Sequence, residues 1–165
     1  MTYQFRLAEA ADLPAIVAIY NSTIASRQVT ADTEPQSVAS RQAWFDQHQH
    51  PKRPLYVVEQ QQQVIAWLSF SDFYGRPAYQ HSAEISLYLA ESQRGKGLGK
   101  RLLQEAETIA KQLGIEVLLA FIFSHNTPSI ALFEKLAYQP WGKLPNVARM
   151  DGQDYSLSIL GKPLN

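Results

Sequence analysis

The octet Gln93-Arg94-Gly95-Lys96-Gly97-Leu98-Gly99-Lys100 decides how this chain is read. Before it, residues 83–89 (AEISLYL) alternate in the manner of a strand. After it, Leu98, Leu102, Leu103, Ala106, Ile109, Ala110 and Leu113 recur at helical spacing and Gly114 supplies a stop, which predicts a helix over about 97–113. Three glycines between a strand and a helix let the backbone approach a ligand closely and take conformations closed to other residues. Successive N–H groups and the positive end of the helix then make an anion cradle, to which Arg94, Lys96 and Lys100 add charge. A pyrophosphate suits such a cradle.

Two common phosphate loops fail on the residues. The string G-x-x-x-x-G-K-[ST] is absent. The dinucleotide fingerprint G-x-G-x-x-G would begin at Gly95, but Lys100 stands at its third glycine position, and most of a domain precedes it.

Working outward, residues 3–8 (YQFRLA) read as a strand. Asp12 then caps a helix with Pro14 in its first turn and Leu13, Ile16, Val17, Tyr20 and Ile24 on one face. A polar loop, 25–34, leads to Thr33 and Gln36, whose capping-box spacing predicts the start of a second helix through Arg41, Trp44 and Phe45. Strands follow at 55–60 and 64–71, joined through a glutamine run with weak turn chemistry. An aromatic loop, 72–82, leads into the strand at 83–89. Beyond the long helix, 116–123 (EVLLAFIF) is nearly all apolar, as befits a strand buried on both faces. Thr127-Pro128 opens a helix to about Ala137, and strands near 138–143 and 154–160 finish the chain. The expected architecture is α/β (α+β), a mixed sheet of about seven strands flanked by about four helices.

A length of 165 residues suits one domain over 1–165. Fifteen Lys and Arg balance fifteen Asp and Glu, which gives no electrostatic reason to expect nucleic acid or a membrane as partner. With no cysteine, there is no disulfide, Cys-ligated metal or covalent Cys intermediate. No apolar run reaches the roughly 18–20 residues of a membrane span, and the first residues do not pattern as a signal peptide. A cytoplasmic protein is the expectation. His48 and His50 alternate without a third ligand nearby, so surface histidines rather than a metal site are expected. Trp44, Trp67 and Trp141 are assigned to core or interface.

The string Arg94-x-x-Gly97-x-Gly99 is similar to the coenzyme A pyrophosphate loop of the GNAT superfamily of N-acetyltransferases, and the element order resembles the GNAT fold. Asn126-Thr127-Pro128-Ser129, followed by 130–138 (IALFEKLAY), resembles the family's second cofactor motif. Within the superfamily, Tyr20-Asn21, Thr33-Glu34-Pro35, Tyr79, Ala83-Glu84 and Tyr88 resemble the phosphinothricin/methionine sulfoximine acetyltransferases. That likeness implies acetyl-CoA as cosubstrate, a primary amine on a small amino acid or analogue as acceptor, and a homodimer. It implies cofactor contacts at Arg94, Gly95, Lys96, Gly97, Gly99, Lys100, Asn126 and Ser129, with an oxyanion donor among the backbone N–H groups near Leu87 and Leu89.

Acetylation of an ammonium, mostly protonated at neutral pH, needs a base. Strand alternation puts Glu84, Ser86 and Tyr88 on one face, and the likeness places the family's glutamate base at Glu84. The pattern breaks at Phe133, where many relatives carry a tyrosine, or in this branch a histidine, that protonates the leaving thiolate. Tyr88, Tyr138 or a water is left for that task, or the thiolate leaves unaided. For the acceptor, Glu34 lies on the first loop, while Tyr74, Arg76 and Tyr79 lie on the second beside Phe73. Arg76 or Arg27 is positioned to clamp a carboxylate. Peptide N-termini and polyamines are the alternative acceptors. A non-catalytic acyl-CoA sensor and a structural dimerisation domain are the alternatives to an enzyme.

Overall fold

The computed structural model describes residues 2–165. In chain order the elements are β1 (Gln4–Leu7), α1 (Leu13–Asn21), α2 (Val38–Gln47), β2 (Leu55–Gln60), β3 (Gln63–Asp72), β4 (Ser82–Leu89), α3 (Leu98–Gln112), β5 (Val117–Phe123), α4 (Thr127–Lys135), β6 (Gln139–Met150) and β7 (Gln153–Pro163). The seven strands form one sheet in the order β1-β2-β3-β4-β5-β7-β6. Every pairing is antiparallel except β4 with β5. No helix among the described residues is long and apolar enough to cross a membrane.

Alternation along the strands sorts the core into two layers. Leu68, Phe70, Ile85, Leu118, Ala120 and Ile122 pack beneath α3 and α4 with Leu103, Ala106 and Phe133. Leu55, Val57 and Trp67 pack on the other face against Ile16, Val17 and Tyr20 of α1 and Phe45 of α2. Trp67 also ties sheet to helix, its Nε1–H donating to the Ile16 carbonyl at 3.1 Å. The apolar β5 is covered on both faces, as its composition predicts.

Four boundaries depart from the sequence expectations. Asp12 precedes α1, but its side chain caps no helix N–H there. Its carboxylate instead accepts from the Glu9 N–H at 2.7 Å and takes both ends of the Arg6 guanidinium at 2.7 and 2.9 Å, which holds its pKa below the usual carboxylate range. The second helix starts not at Thr33/Gln36 but at Ser37, whose Oγ accepts from the Ser40 N–H at 3.0 Å while Ser40 Oγ accepts from the Ser37 N–H at 3.1 Å. Gln36 is kept out of the helix because the Asn21 amide grips its backbone from both sides, at 2.8 and 2.9 Å. The helix α4 ends at Lys135 rather than near Ala137, which takes a left-handed φ of 68°. The last two strands form a hairpin of 12 and 11 residues, longer than expected. Asp151 and Gly152, with φ of 51° and 77°, make its two-residue turn.

The β2–β3 turn has the same left-handed form without the usual residues: Gln61 and Gln62 sit at φ of 50° and 62°. Each non-glycine residue there costs roughly 1 kcal/mol or more. Changing the pair to Asn-Gly (Gln61→Asn with Gln62→Gly) is expected to stabilise the fold by about 1–2 kcal/mol. Urea unfolding checks this as a higher midpoint at unchanged slope.

Candidate active site

The sheet opens at its centre. Strands β4 and β5 pair only from Ser82↔Val117 to Glu84↔Leu119, and beyond Glu84 the strand β4 has no ladder partner on that side. Its other edge stays paired with β3 through Ala66↔Leu89. The resulting cleft, about 680 Å³, runs between residues 85–89 of β4 and 120–122 of β5. It continues along the glycine loop to α4 and reaches Thr23 and Val29 before α2.

The glycine loop closes one end of the cleft. Gly95 and Gly97 have left-handed φ of 72° and 79°, with nothing within 4 Å of where a Cβ would stand. Gly97 is the residue before the first turn of α3, so the helix's free N–H groups face the same opening. Gly99 serves another purpose. Within α3, a Cβ there would lie 3.2 Å from Leu132 Cδ2, so this glycine lets α3 and α4 approach. Arg94 crosses the cleft mouth, donating to Ser22 Oγ at 2.7 Å and to the Leu89 carbonyl at 3.2 Å. Lys100 also lines the cleft, whereas Lys96 is exposed beside it. On the far wall Asn126 is buried and caps α4, its Oδ1 accepting the Ser129 N–H at 3.3 Å, and both residues line the cleft.

Glu84, Ser86 and Tyr88 share the α1/α2 face of β4, as alternation predicts. Burial raises the Glu84 pKa and nothing charged offsets it. Ser86, next on the same face, lines the cleft, and Ser71, directly opposite Glu84, lines a separate cavity of about 1160 Å³. Glu84 itself lines neither opening: Ser86, two residues along the strand, borders the cleft, and Ser71, across the ladder, borders the larger cavity. Tyr88 lines the cleft, its ring stacked on Trp67 at 4.4 Å and tilted against Tyr20 at 5.3 Å. Burial holds its phenol well above the ordinary value. The Tyr20 hydroxyl bonds Thr30 and Asp32, and burial followed by Asp32 pushes its pKa up to about 12.

Of the other aromatic candidates, Phe133 is buried and lines the cleft. Tyr138 lies edge-on to it at 4.9 Å, away from the cleft lining. Its buried hydroxyl has no hydrogen-bond partner among the described residues, and burial with the neighbouring Glu107 carboxylate drives its pKa far upward. Tyr138 is therefore badly placed to donate to anything in the cleft.

Arg27 is not free to clamp a ligand. It pairs with Asp151 at 2.8 Å and donates to the carbonyls of Ile24 and Thr33. Arg76 and Tyr79 line the larger cavity, not the cleft. Phe73 connects the two regions, packing on Tyr74 at 5.4 Å, Tyr79 at 5.7 Å and Phe121 of β5 at 6.3 Å. Tyr74 and Glu34 are exposed. His125 donates from Nε2 to the Arg27 carbonyl at 2.8 Å, and its ring packs on Tyr155. His48, expected at the surface, is buried. Among tryptophans, Trp67 is core, Trp44 packs against it, and Trp141 is about half exposed. Sequence reasoning missed Thr23, Val29 and Phe121 as cleft residues. Phe121 shares the face of Glu84 only through the parallel register Glu84↔Leu119, which is not visible in a linear sequence.

Comparison with known proteins identifies the family and the fold. Residues 16–138 match the model of the Acetyltransferase (GNAT) family. The chain is 58% identical to YwnH of Bacillus subtilis, a candidate phosphinothricin acetyltransferase, over 97% of this chain and 98% of that one. It is 34% identical to the L-methionine sulfoximine/L-methionine sulfone acetyltransferase of Pseudomonas aeruginosa, over 97% and 94% of the two chains. Its structure is similar to that of a GNAT superfamily phosphinothricin acetyltransferase from Sinorhizobium meliloti in complex with acetyl-CoA. That match has a TM-score of 0.91 and 31% identity, and covers 100% of this chain and 90% of the other.

Proposed function

The chain belongs to the GNAT family of acetyltransferases, and from that membership we propose that it moves the acetyl group of acetyl-CoA directly to the α-amine of a small amino acid or analogue. Phosphinothricin and methionine sulfoximine are the model acceptors, because relatives covering nearly the whole chain are named for them. The observation that carries the reading is Glu84, a half-buried carboxylate of raised pKa standing where the sheet parts.

The fit to acetyl-CoA rests on the open space over Gly95 and Gly97. The glycine loop, the N–H groups of α3, Arg94 and Lys100 hold the pyrophosphate, with Lys96 adding charge at the rim. Asn126 and Ser129 line the opposite wall, and Gly99 sets the closeness of the two helices. In the seam, the backbone N–H groups of Leu87 and Leu89 receive the developing oxyanion. Glu84 takes the ammonium proton, its raised pKa lying nearer that of the proton it must accept. Tyr88 lines the cleft, where Tyr138 does not, and that position makes its hydroxyl the one to protonate the leaving thiolate in place of Phe133, although burial makes it a weaker acid than a free tyrosine. With no cysteine, the acetyl group passes to the amine without an enzyme thioester.

For the acceptor, Phe73, Tyr74 and Tyr79 wall the approach to Phe121, with Glu34 on the facing loop. Arg27 is committed to Asp151, and we read Arg76, in the wall of the larger cavity with Ser71, as the guanidinium for the acceptor's carboxylate. We read residues 1–165 as one such domain, acting as a cytoplasmic homodimer. The exposed Trp141, Leu144 and Val147 along the edge strand β6 support the dimer.

Thiol release from acetyl-CoA, followed with a thiol-reactive dye, tests the function without background from the protein. Release is expected with methionine sulfoximine and phosphinothricin, and not with polyamines or peptides. The reverse ranking overturns the acceptor class. Silence across the panel with coenzyme A bound would favour a non-catalytic acyl-CoA sensor, the reading that Phe133 in the cleft wall favours.

A further inference from the structure

Of the two histidines in the H-x-H run, His50 is exposed, but His48 is buried at the end of α2. Its Nδ1 lies 2.9 Å from the Trp44 carbonyl, which can only accept, so Nδ1 carries the hydrogen. A neutral ring protonated there presents a lone pair at Nε2. That nitrogen is 3.2 Å from Ser71 Oγ, so the serine hydroxyl donates to it. Ser71 is in turn the direct cross-strand partner of Glu84, on the same face of the sheet. No hydrogen bond joins the two side chains among the described residues, but cross-strand partners have Cβ atoms about 4.5–5.5 Å apart, so a side-chain rotation brings hydroxyl and carboxyl together. Both Ser71 and His48 line the larger cavity.

We propose that Ser71 and His48 form the path by which the proton taken by Glu84 leaves the site. The proposal rests on Glu84 being the base. In the step, the Glu84 carboxyl O–H breaks and its proton binds Ser71 Oγ, while the original Ser71 hydroxyl proton passes to His48 Nε2. Serine is unchanged, Glu84 is again a carboxylate, and His48 has become an imidazolium. The imidazolium then loses one proton to solvent in the larger cavity, and no electrons change hands.

The surroundings favour turnover of this proton over its retention. Burial above all, with the Arg41 charge, lowers the His48 pKa, while its hydrogen bond to the Trp44 carbonyl opposes them. On the facing elements stand Ser71 and Asp72 of β3 and Glu84 of β4. Around the cavity Lys52, Arg53 and Arg76 outnumber the one carboxylate, Asp72, with His50 and His81 beside them. Asp72 is already paired with Arg53 at 2.7 Å. An imidazolium in that setting discharges readily. The raised pKa of Glu84 and the lowered pKa of His48 also bring donor and acceptor closer together.

The test uses the intact enzyme with methionine sulfoximine and acetyl-CoA. His48→Ala and Ser71→Ala are each expected to lower kcat on the order of tenfold, with the double variant no worse than either. KM for acetyl-CoA should not move. Added imidazole should restore the His48→Ala rate, and Ser71→Thr, which keeps the hydroxyl, should retain activity. Unchanged kcat in both alanine variants overturns the path, and so does a loss in His48→Ala that imidazole fails to restore. If His48→Ala does not fold, the contrast of Ser71→Ala with Ser71→Thr decides alone, equal rates overturning the path. Glu84→Gln separates the two readings. An active Glu84→Gln removes the base itself, whereas an inactive one beside unaffected His48 and Ser71 variants removes only the exit path.

Discussion

Glu84→Gln is expected to lower kcat by about 10²–10³-fold while changing coenzyme A affinity less than about twofold. Glutamine keeps the shape and removes the basic oxygen, and Glu84 is separated from the glycine loop by the rest of β4. The pH profile gives a sharper signature. Burial raises the carboxyl's pKa, and a base works only when deprotonated, so wild-type kcat/KM should fall with decreasing pH at a higher pH than an ordinary glutamate would give. In Glu84→Gln that limb disappears. Stability should move the opposite way to activity. Below the unfolded pKa both states hold the proton and ionisation has no bearing on folding. As pH rises through the higher folded pKa, the native state bears the cost of a buried charge. The variant should therefore melt above wild type at neutral pH, and the difference should shrink below about pH 4. Equal turnover of the two proteins at neutral pH would remove Glu84 from the mechanism.

Gly97→Val carries the second large effect, an expected weakening of coenzyme A binding by at least about a hundredfold. Two causes act together. At φ 79° a β-branched residue is strained, by roughly 1–2 kcal/mol or more, and the backbone N–H groups of the loop turn away to relieve it. The added side chain also projects into the space the pyrophosphate would take, since nothing lies within 4 Å of that position. Losing two charge-assisted hydrogen bonds, at about 1.5–3 kcal/mol each, is enough for the stated change. Gly99→Ala is the control. Its Cβ meets the Leu132 side chain at 3.2 Å, and its φ needs no left-handed backbone. Although both residues border the cleft, it should act mainly on the α3–α4 contact and weaken binding less. Calorimetry with coenzyme A reads both variants, and normal binding by Gly97→Val would show that the pyrophosphate lies elsewhere.

How much of this was legible in the sequence depends on whether the cause is local. The helix α3 and the turn before it could be read because the apolar spacing begins at Leu98, directly after the second glycine of the octet. Alternation likewise gave the shared face of Glu84, Ser86 and Tyr88. The start of α2 could not be read, because Asn21, far back in α1, holds Gln36 extended and hands the cap to Ser37. The strand β6 is exposed over most of its length and shows no alternation, although Asp151-Gly152 is a hairpin signal that its neighbours in sequence would have supported. The burial of His48 follows from β3 packing over the end of α2, and the parting of β4 from β5 follows from strand register. Neither is written in any short window. The two loops offered Arg76 or Arg27 for the acceptor's carboxylate; only the structure shows that Asp151 already holds Arg27.

The parting of β4 and β5 after three residue pairs also bears on how long the protein survives in a cell. A sheet unfastened at its centre has backbone donors and acceptors that a slender guest, lying along the strand, can engage as an added strand would. Such a guest binds the folded chain alone, and at a hundred times its dissociation constant adds about 2.7 kcal/mol to folding. Amide exchange in residues 85–89 should slow markedly when it is present. Proteolysis follows the population of opened molecules, so the steady-state amount of this enzyme would rise and fall with the supply of its own acyl donor.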